Sequence, residues 1–265
     1  MKSVAWKTRG ARCFVLIAAT VAGIMPFPAP RNLAFAAPAD KQPTPVLVEL
    51  FTSEGCSDCP PADALLKRLD ESQYVPDALA IVLSEHVTYW NHLGWRDPFS
   101  FEDMDTRQQD YSARFGLISV YTPQMVVDGS EQFVGSDSNA LARAVQKAAT
   151  DAKIPVEIVD PHVENGKASF SLVGNAGNGN VRWYGAIAVD ATHSEVARGE
   201  NAGRTLHHVA VVRAIRSLNR KAQRQDFSLP VEAATDSTGN LRLVVFAVDR
   251  GSGKVLAAAQ RVITR

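Results

Sequence analysis

Residues 46–63 read VLVELFTSEGCSDCPPAD, and this stretch decides how the chain is expected to fold. Val46–Thr52 is a short apolar run, which is typical of a parallel strand that is covered on both faces. Cys56 and Cys59 follow in a short turn, and the proline pair 60–61 suits the first turn of a helix, where a missing N–H group costs nothing. A strand, a CxxC pair and a helix start in this order are typical of a redox-active dithiol.

Residues 1–36 have the pattern of an export signal. A basic segment precedes an apolar run from Cys13 to Met25 that is too short to span a bilayer, and Ala34-Phe35-Ala36 supplies a cleavage pattern. We therefore expect a cleaved signal peptide at 1–36, a leader at 37–45, and a periplasmic or secreted mature protein. An uncleaved membrane anchor is the alternative.

The net charge of the chain argues against some classes of binding partner. The signal segment holds five of the 28 basic residues and no acidic residue, so its removal takes the formal net charge from 0 to −5. A mildly acidic chain lacks the basic surface that binds nucleic acid or anionic lipid. We therefore expect no nucleic acid partner and, after signal cleavage, no membrane partner.

Cysteine usage favours chemistry over a structural disulfide. Of the three cysteines, Cys13 lies in the signal segment, which leaves only Cys56 and Cys59. One close pair is not the disulfide framework of a small secreted scaffold, and so short a loop constrains little of the unfolded chain. The pair is interpreted as redox-active, with an inert disulfide as the alternative.

The hydrophobic pattern up to residue 151 predicts the element order β-α-β-α-β-β-α. The predicted strands comprise residues 46–52, 79–84, 124–128 and 132–135, and the predicted helices begin near residues 60, 100 and 138. Asp137 is the expected N-cap of the last helix. Thr122-Pro123 stands immediately before the third strand.

This order, with CxxC at the first helix and Thr122-Pro123 before the third strand, resembles the thioredoxin fold. LFTSEGCSDCPPADALL, SEHVTYWNHLGWRDPFS, VYTPQMVVDG, FVGSD and GENAGRTLHHVAVVRAI also resemble the exported, thioredoxin-like bacterial family called domain of unknown function 1223. The resemblance implies a cis Pro123 against the dithiol, with Cys56 attacking and Cys59 resolving. It implies a thiol–disulfide oxidoreductase that exchanges with protein or small-molecule thiols and disulfides and needs no cofactor.

Beyond residue 151 the pattern changes to short β-rich runs separated by turn signals. Six strands are predicted, over residues 156–159, 168–173, 183–189, 209–215, 241–248 and 255–263. We therefore expect an α/β, thioredoxin-like domain over residues 46–151, followed by a smaller all-β, sandwich-like domain over residues 152–265. The Gly-rich and charged segment Arg198–Arg204 is interpreted as a long turn that docks against the first domain.

Four residues are candidates for substrate binding beside the dithiol. His86 follows the second predicted strand, at the sheet edge where open α/β sheets place their sites. It could donate to Cys56, act as a base, bind metal, or be hydrogen-bonded within its own loop. Trp90 lies in the long aromatic loop 85–99, which is expected to cover the site, and Thr122-Pro123 is expected to shape the substrate groove.

Other assignments stay open at this point. Two thiolates and one imidazole can hold Cu(I), so a copper chaperone with Cys56, Cys59 and His86 as ligands is the second functional hypothesis. Glu49, within the first predicted strand, is either ion-paired or a buried proton acceptor beneath the dithiol. The His207-His208 pair is interpreted as structural, because neighbours in a strand point to opposite faces.

Local features temper the expected reactivity of the thiols. Glu54 lies two residues before Cys56, and Asp58 lies between the two cysteines. Both carboxylates disfavour a thiolate. Pro60 also disfavours helical backbone angles at Cys59, so the first helix is expected to begin late.

Overall fold

The computed structural model describes residues 42–231 and 240–263, which form one compact unit. The predicted signal peptide lies outside these ranges, as does most of the leader. In the part of the chain that is described, no helix is long and apolar enough to cross a membrane.

The first half of the described chain has the predicted element order. Its elements are β1 (Thr44–Thr52), α1 (Pro60–Ser72), β2 (Ala78–His86), α2 (Glu102–Phe115), β3 (Gln124–Val127), β4 (Glu131–Val134) and α3 (Ser138–Ala148). The predicted cap of α3 is confirmed, since the Asp137 carboxylate accepts hydrogen bonds from the backbone N–H groups of Asn139 and Ala140.

The second half consists of strands. They are β5 (Val156–Glu164), β6 (Lys167–Gly174), β7 (Val181–Glu195), β8 (Thr205–Leu218), β9 (Arg224–Pro230), β10 (Leu241–Asp249) and β11 (Val255–Ile263). All six predicted strands are present. β9 was not predicted, because only Phe227 and Leu229 in it are large apolar residues.

The strands form a large mixed sheet and a smaller antiparallel one. The large sheet has eight strands in the order β11-β10-β7-β8-β2-β1-β3-β4, and β5-β6-β9 form the second sheet. This differs from the expected sandwich-like domain over residues 152–265, because four strands of that segment continue the sheet of the first segment. The junction is a parallel pairing of β2 with β8 at Ser84 and Val211. Pairing with β8 also covers an edge of β2 that would otherwise be open.

The large sheet curls. β11 contacts β1 although four strands separate them in the sheet order. At the contact, the Val255 N–H donates to the carbonyl oxygen of Asp128 at 2.9 Å, and the Asp128 carboxylate accepts from the Leu47 N–H at 3.0 Å. The right-handed twist of strands accumulates into this curvature.

Alternate side chains of β10 enter two different cores. Val244 and Phe246 pack with the core that contains β1 and the helices. Leu243 and Val245 pack with Phe170 and other residues of the smaller sheet. β10 is therefore buried on both faces. One face packs against the core that contains β1 and the helices, and the other packs against the smaller sheet.

Candidate functional site

Cys56 and Cys59 form a disulfide between β1 and α1. Cys59 is the N-cap residue of α1 and has helical backbone angles, φ −78° and ψ −38°. The expectation that Pro60 would move Cys59 out of helical backbone angles is therefore wrong, and α1 begins at Pro60. The Cys59 carbonyl accepts from the N–H groups of Ala62 and Asp63, at 2.9 and 3.1 Å, and these bonds outweigh the steric preference against helical angles before proline.

Both cysteines are buried. Cys56 is 1% exposed and Cys59 is 0% exposed, so both residues are shielded from solvent in this conformation. The resemblance to the thioredoxin fold implies that Cys56 is the attacking thiol. In the structure the connection between β7 and β8, residues 196–204, lies over the CxxC turn, and we call this segment the hairpin cap.

Hydrogen bonds fix the hairpin cap to the CxxC turn. The side-chain amide of Asn201, itself 1% exposed, donates to the carbonyl oxygens of Glu54 and Cys56, both at 2.9 Å. The Ser57 N–H donates to Glu200 Oε2 at 3.0 Å. The prediction that residues 198–204 dock against the first segment is thus confirmed, and the second half of the chain closes over the disulfide.

The hairpin cap also packs against the aromatic loop. Gly199 has φ +80°, and a Cβ at this position would lie 3.1 Å from the Cβ of Trp95. Glycine is favoured at this position because its backbone is left-handed and because the cap approaches Trp95 closely. The cap and the aromatic loop therefore pack against each other beside the CxxC turn.

Glu54 is the centre of a buried polar network beside the disulfide. Its carboxylate accepts from Trp95 Nε1 at 2.8 Å and from Ser194 Oγ at 2.5 Å, and it lies 3.3 Å from His208 Nε2. Its backbone N–H donates to Asp97 Oδ2 at 2.9 Å. These partners compensate the Glu54 charge, so its effect on the thiols is smaller than that of the unpaired carboxylate expected from the sequence.

His208 bridges the two acids that flank the disulfide. Its Nδ1 lies 3.8 Å from Asp63 Oδ1, which is an ion-pair contact rather than a hydrogen bond. Burial lowers the pKa of His208, but Asp63 and Glu54 outweigh burial and raise the pKa to about 10. His207 is exposed, as alternation predicts, whereas His208 belongs to the site. Sequence reasoning missed this role, because it depends on β8 lying beside α1.

His86 is bonded within its own loop. Its Nδ1 lies 2.7 Å from Asp97 Oδ2, and both side chains are fully buried. Burial raises the pKa of Asp97, but the His86 partner and two backbone N–H groups more than offset this, so the pKa lies below its usual value. The His86 ring is 4.7 Å from the His208 ring, centroid to centroid, which places it at the edge of the Glu54 network.

The structure brings Trp90 and Thr122 together beside the CxxC turn. Trp90 Nε1 donates to Thr122 Oγ1 at 2.7 Å, and the Thr122–Pro123 peptide bond is cis. A Cβ on Gly55 would lie 3.1 Å from the Cβ of Trp90, so the Trp90 side chain packs directly on the turn. These candidate substrate-binding residues therefore lie next to one another.

Pro123 and the first turn of α1 both lie next to Gly135. A Cβ on Gly135 would lie 3.0 Å from the Cβ of Pro123 and 3.1 Å from the Cβ of Ala62. The Gly135 N–H also donates to the Pro123 carbonyl at 2.9 Å. Gly135 thus lets the proline loop approach the helix that follows the cysteines.

Glu49 is ion-paired. Its carboxylate accepts from Arg107 Nε at 2.7 Å and from the Tyr111 hydroxyl at 2.5 Å, both on α2. Glu85, fully buried beside it, lies 3.3 Å from Arg107 Nε. Burial raises the pKa of Glu85 well above its usual value, and the neighbouring Glu49 adds to this. Of the two hypotheses for Glu49, the ion pair is the one that the geometry favours.

Two further features bear on ligands. Among the described residues, no group of three or more His, Cys, Asp and Glu side chains is arranged to hold a metal ion. His86, the third ligand of the copper hypothesis, has its Nδ1 bonded to Asp97. A cavity of about 550 Å³ lies on the smaller sheet, lined by residues such as Phe170 and Phe227, and none of its lining residues contributes to the CxxC site.

Fold and site together define a mixed α/β protein with a CxxC disulfide that is shielded at the start of a helix. The chain belongs to the family described as Protein of unknown function (DUF1223), whose model matches residues 47–248. The resemblance to this family inferred from the sequence motifs is thereby confirmed.

Comparison with solved structures supports the fold. The chain is similar to the crystal structure of protein AGR_C_4864 from Agrobacterium tumefaciens, with 23% sequence identity and a TM-score of 0.64. The match covers 84% of this chain and 96% of that chain. At this identity the likeness shows the fold alone.

A curated relative matches over a shorter range. It is a Methylobacillus flagellatus protein described by name as a candidate pre-16S rRNA nuclease, 26% identical over 98 residues. The match covers 36% of this chain, and the chain spans 64% of that protein's length.

Proposed function

We propose that this protein is an exported thiol–disulfide oxidoreductase of thioredoxin-like fold that acts through Cys56 and Cys59. The observation that carries the proposal is the disulfide placed between a buried strand and the first turn of α1. The strand order β2-β1-β3-β4 and the cis Pro123 packed near α1 support the same assignment.

The proposed reaction is a two-electron exchange between dithiol and disulfide. The thiolate of Cys56 attacks a substrate disulfide, forms a mixed disulfide and releases one substrate thiolate, which takes up a proton. The thiolate of Cys59 then attacks the Cys56 sulfur, closes the Cys56–Cys59 bond and releases the second substrate thiolate. The substrate gains two electrons and the CxxC pair loses two, and the reverse sequence oxidises a substrate dithiol.

The start of α1 provides the chemical basis for this role. Backbone N–H groups at a helix N-terminus and the helix dipole stabilise a thiolate, which lowers the thiol pKa. Trp90 and Thr122-Pro123 form the proposed substrate-binding surface beside the turn. Because both cysteines are buried and the hairpin cap is bonded to the CxxC turn, the proposal requires the hairpin cap to move before a partner can reach Cys56.

The proposed location is the periplasm or the extracellular space. The export signal predicted for residues 1–36 supports it, as does the presence of a disulfide, since oxidising compartments preserve such bonds. The partners would be proteins or small molecules that carry thiols or disulfides. Amino-terminal sequencing of the exported protein should find Ala37 as the first residue.

A second candidate function is a binding module whose disulfide is inert. The burial of both cysteines, at 1% and 0% exposure, favours this alternative. A shielded disulfide exchanges slowly, because thiol attack needs access to a sulfur along the S–S axis.

Redox titration and trapping separate the two functions. For an oxidoreductase we expect the Cys56–Cys59 couple to titrate reversibly, with a potential of roughly −120 to −270 mV, and Cys59→Ala to capture partners as mixed disulfides. Cys56→Ala/Cys59→Ala is the control for non-covalent capture. A potential below about −300 mV together with no trapped partner would establish the inert disulfide instead.

A further inference from the structure

We infer that His208 is a positioning residue of the CxxC site, whose imidazolium compensates Glu54 and Asp63 and so keeps the Cys56 thiol acidic in the reduced protein. The inference deepens the proposed function, since it names the group that tunes the attacking thiol. It does not need an exchange partner to be tested.

Geometry places His208 between two acids that flank the cysteines. Glu54 lies two residues before Cys56, and the Asp63 N–H donates to the Cys59 carbonyl one helical turn after the pair, at 3.1 Å. His208 Nε2 lies 3.3 Å from Glu54 Oε1, and its Nδ1 lies 3.8 Å from Asp63 Oδ1. The two contacts use both ring nitrogens of one side chain.

The network has little access to water. The side chains of His208 and Glu54 are 0% exposed and that of Asp63 is 7% exposed. Charges in such a site are weakly screened, so each influences a nearby ionising group more strongly than it would on the surface. An uncompensated carboxylate raises the pKa of a neighbouring thiol, and a cation lowers it.

Among the cations near the site, His208 is the buried one that contacts Glu54 and Asp63. The Arg204 guanidinium, at an exposed position of the hairpin cap, donates instead to Asn201 Oδ1 at 3.0 Å. His86 faces the His208 ring, and its Nδ1 is committed to Asp97. At the turn itself, Glu200 accepts from the Ser57 N–H, and Asp58 is exposed. With His208 charged, the set of Glu54, Asp63 and His208 carries one negative charge, whereas without His208 it carries two.

The test measures the thiol pKa of Cys56 in reduced protein by the ultraviolet absorbance of the thiolate, in a Cys59→Ala background. This readout does not require the hairpin cap to open. We expect His208→Gln to raise the thiol pKa by about one unit, because it removes the cation, and Glu54→Gln to lower the thiol pKa. Glu54→Gln/His208→Gln, which restores one negative charge, should return the thiol pKa to near the starting value.

His207→Gln is the matched control, because His207 is the exposed neighbour on the same strand. It should leave the thiol pKa unchanged. If His208→Gln fails to fold, the Glu54→Gln variant provides the test. A thiol pKa that is not lowered in Glu54→Gln would overturn the inference. A folded His208→Gln variant with an unchanged thiol pKa would overturn it as well. Both results are independent of the trapping experiment with Cys59→Ala, and it is that experiment which tests the proposed function.

Discussion

The side-chain nitrogen of Asn201 lies 2.9 Å from the carbonyl oxygen of Cys56, although the two residues are 145 positions apart in the chain. The contact joins the hairpin cap in the second half of the protein to the CxxC turn in the first half. Reactivity of the disulfide is therefore expected to depend on a segment that contains no cysteine.

Asn201→Ala should speed reduction of the disulfide. The change removes two hydrogen bonds to the CxxC turn, and a lost buried hydrogen bond typically costs about 1–3 kcal/mol, so the cap should open more often. We expect the rate of reduction by a small phosphine to rise about tenfold, since 1.4 kcal/mol corresponds to that factor. Following the loss of the disulfide by mass spectrometry after alkylation checks this.

Asn219→Ala is the control for the Asn201 experiment. Asn219 is exposed and lies outside the hairpin cap, so its variant should be reduced at the wild-type rate. If Asn201→Ala is also reduced at that rate, the hairpin cap does not limit access to the disulfide.

Gly135→Ala should destabilise the protein through overpacking at Pro123. The added Cβ would lie 2.9 Å from Leu50 Cδ1 and 3.0 Å from the Cβ of Pro123. Overpacking of this kind costs about 1–3 kcal/mol of the free energy of unfolding, measured here by urea denaturation. Gly179→Ala is the control, since a Cβ there meets no atom within 4 Å. Equal stability of the two variants would show that the proline loop adjusts without cost.

Glu85→Gln should stabilise the protein at alkaline pH. The folded-state pKa of Glu85 is raised above its ordinary value of 4.5, chiefly by burial. The stabilising contribution of the protonated carboxyl is therefore complete below that value and is lost as the pH rises through the folded-state pKa. Glutamine keeps the shape without the charge, so we expect the variant to gain about 1 kcal/mol or more over wild type at pH 8.

The pH dependence distinguishes this effect from general stabilisation. Near pH 4.5 the Glu85→Gln variant and the wild type should have similar free energies of unfolding, and urea denaturation at several pH values tests this. Glu164→Gln, at an exposed position, should show the wild-type profile. A stability gain for Glu85→Gln that is the same at all pH values would contradict the buried-acid explanation.

Arg242→Met should destabilise the link between α1 and the sheet. Arg242 makes a two-point contact with Asp70 of α1, at 2.6 and 3.0 Å, and its Nε donates to Asp190 at 2.9 Å. The arginine is 8% exposed, and its loss leaves two carboxylates without their cation, which typically costs about 3–5 kcal/mol. Arg261→Met, at an exposed position, should cost little. A similar thermal midpoint for both variants would show that this contact does not hold α1.

The secondary structure of the first half was largely predictable from the sequence. The strand that ends at Thr52, the proline pair at the helix start and the Asp137 cap depend on residues within a few positions of one another. Side-chain periodicity and hydrogen bonds to nearby backbone groups therefore sufficed to predict the element order of the first half. The closeness of Cys56 and Cys59 in space likewise follows from their closeness in the sequence.

The sequence by itself thus determined the element order and the position of the CxxC pair. Only the tertiary structure decided that β8 pairs with β2, that Asn201 bonds to the CxxC turn, and that His208 bridges Glu54 and Asp63. The physical reason is that a strand's own pattern records how deeply it is buried but not which strand or helix lies beside it. The surroundings of the thiols are set by those long-range contacts.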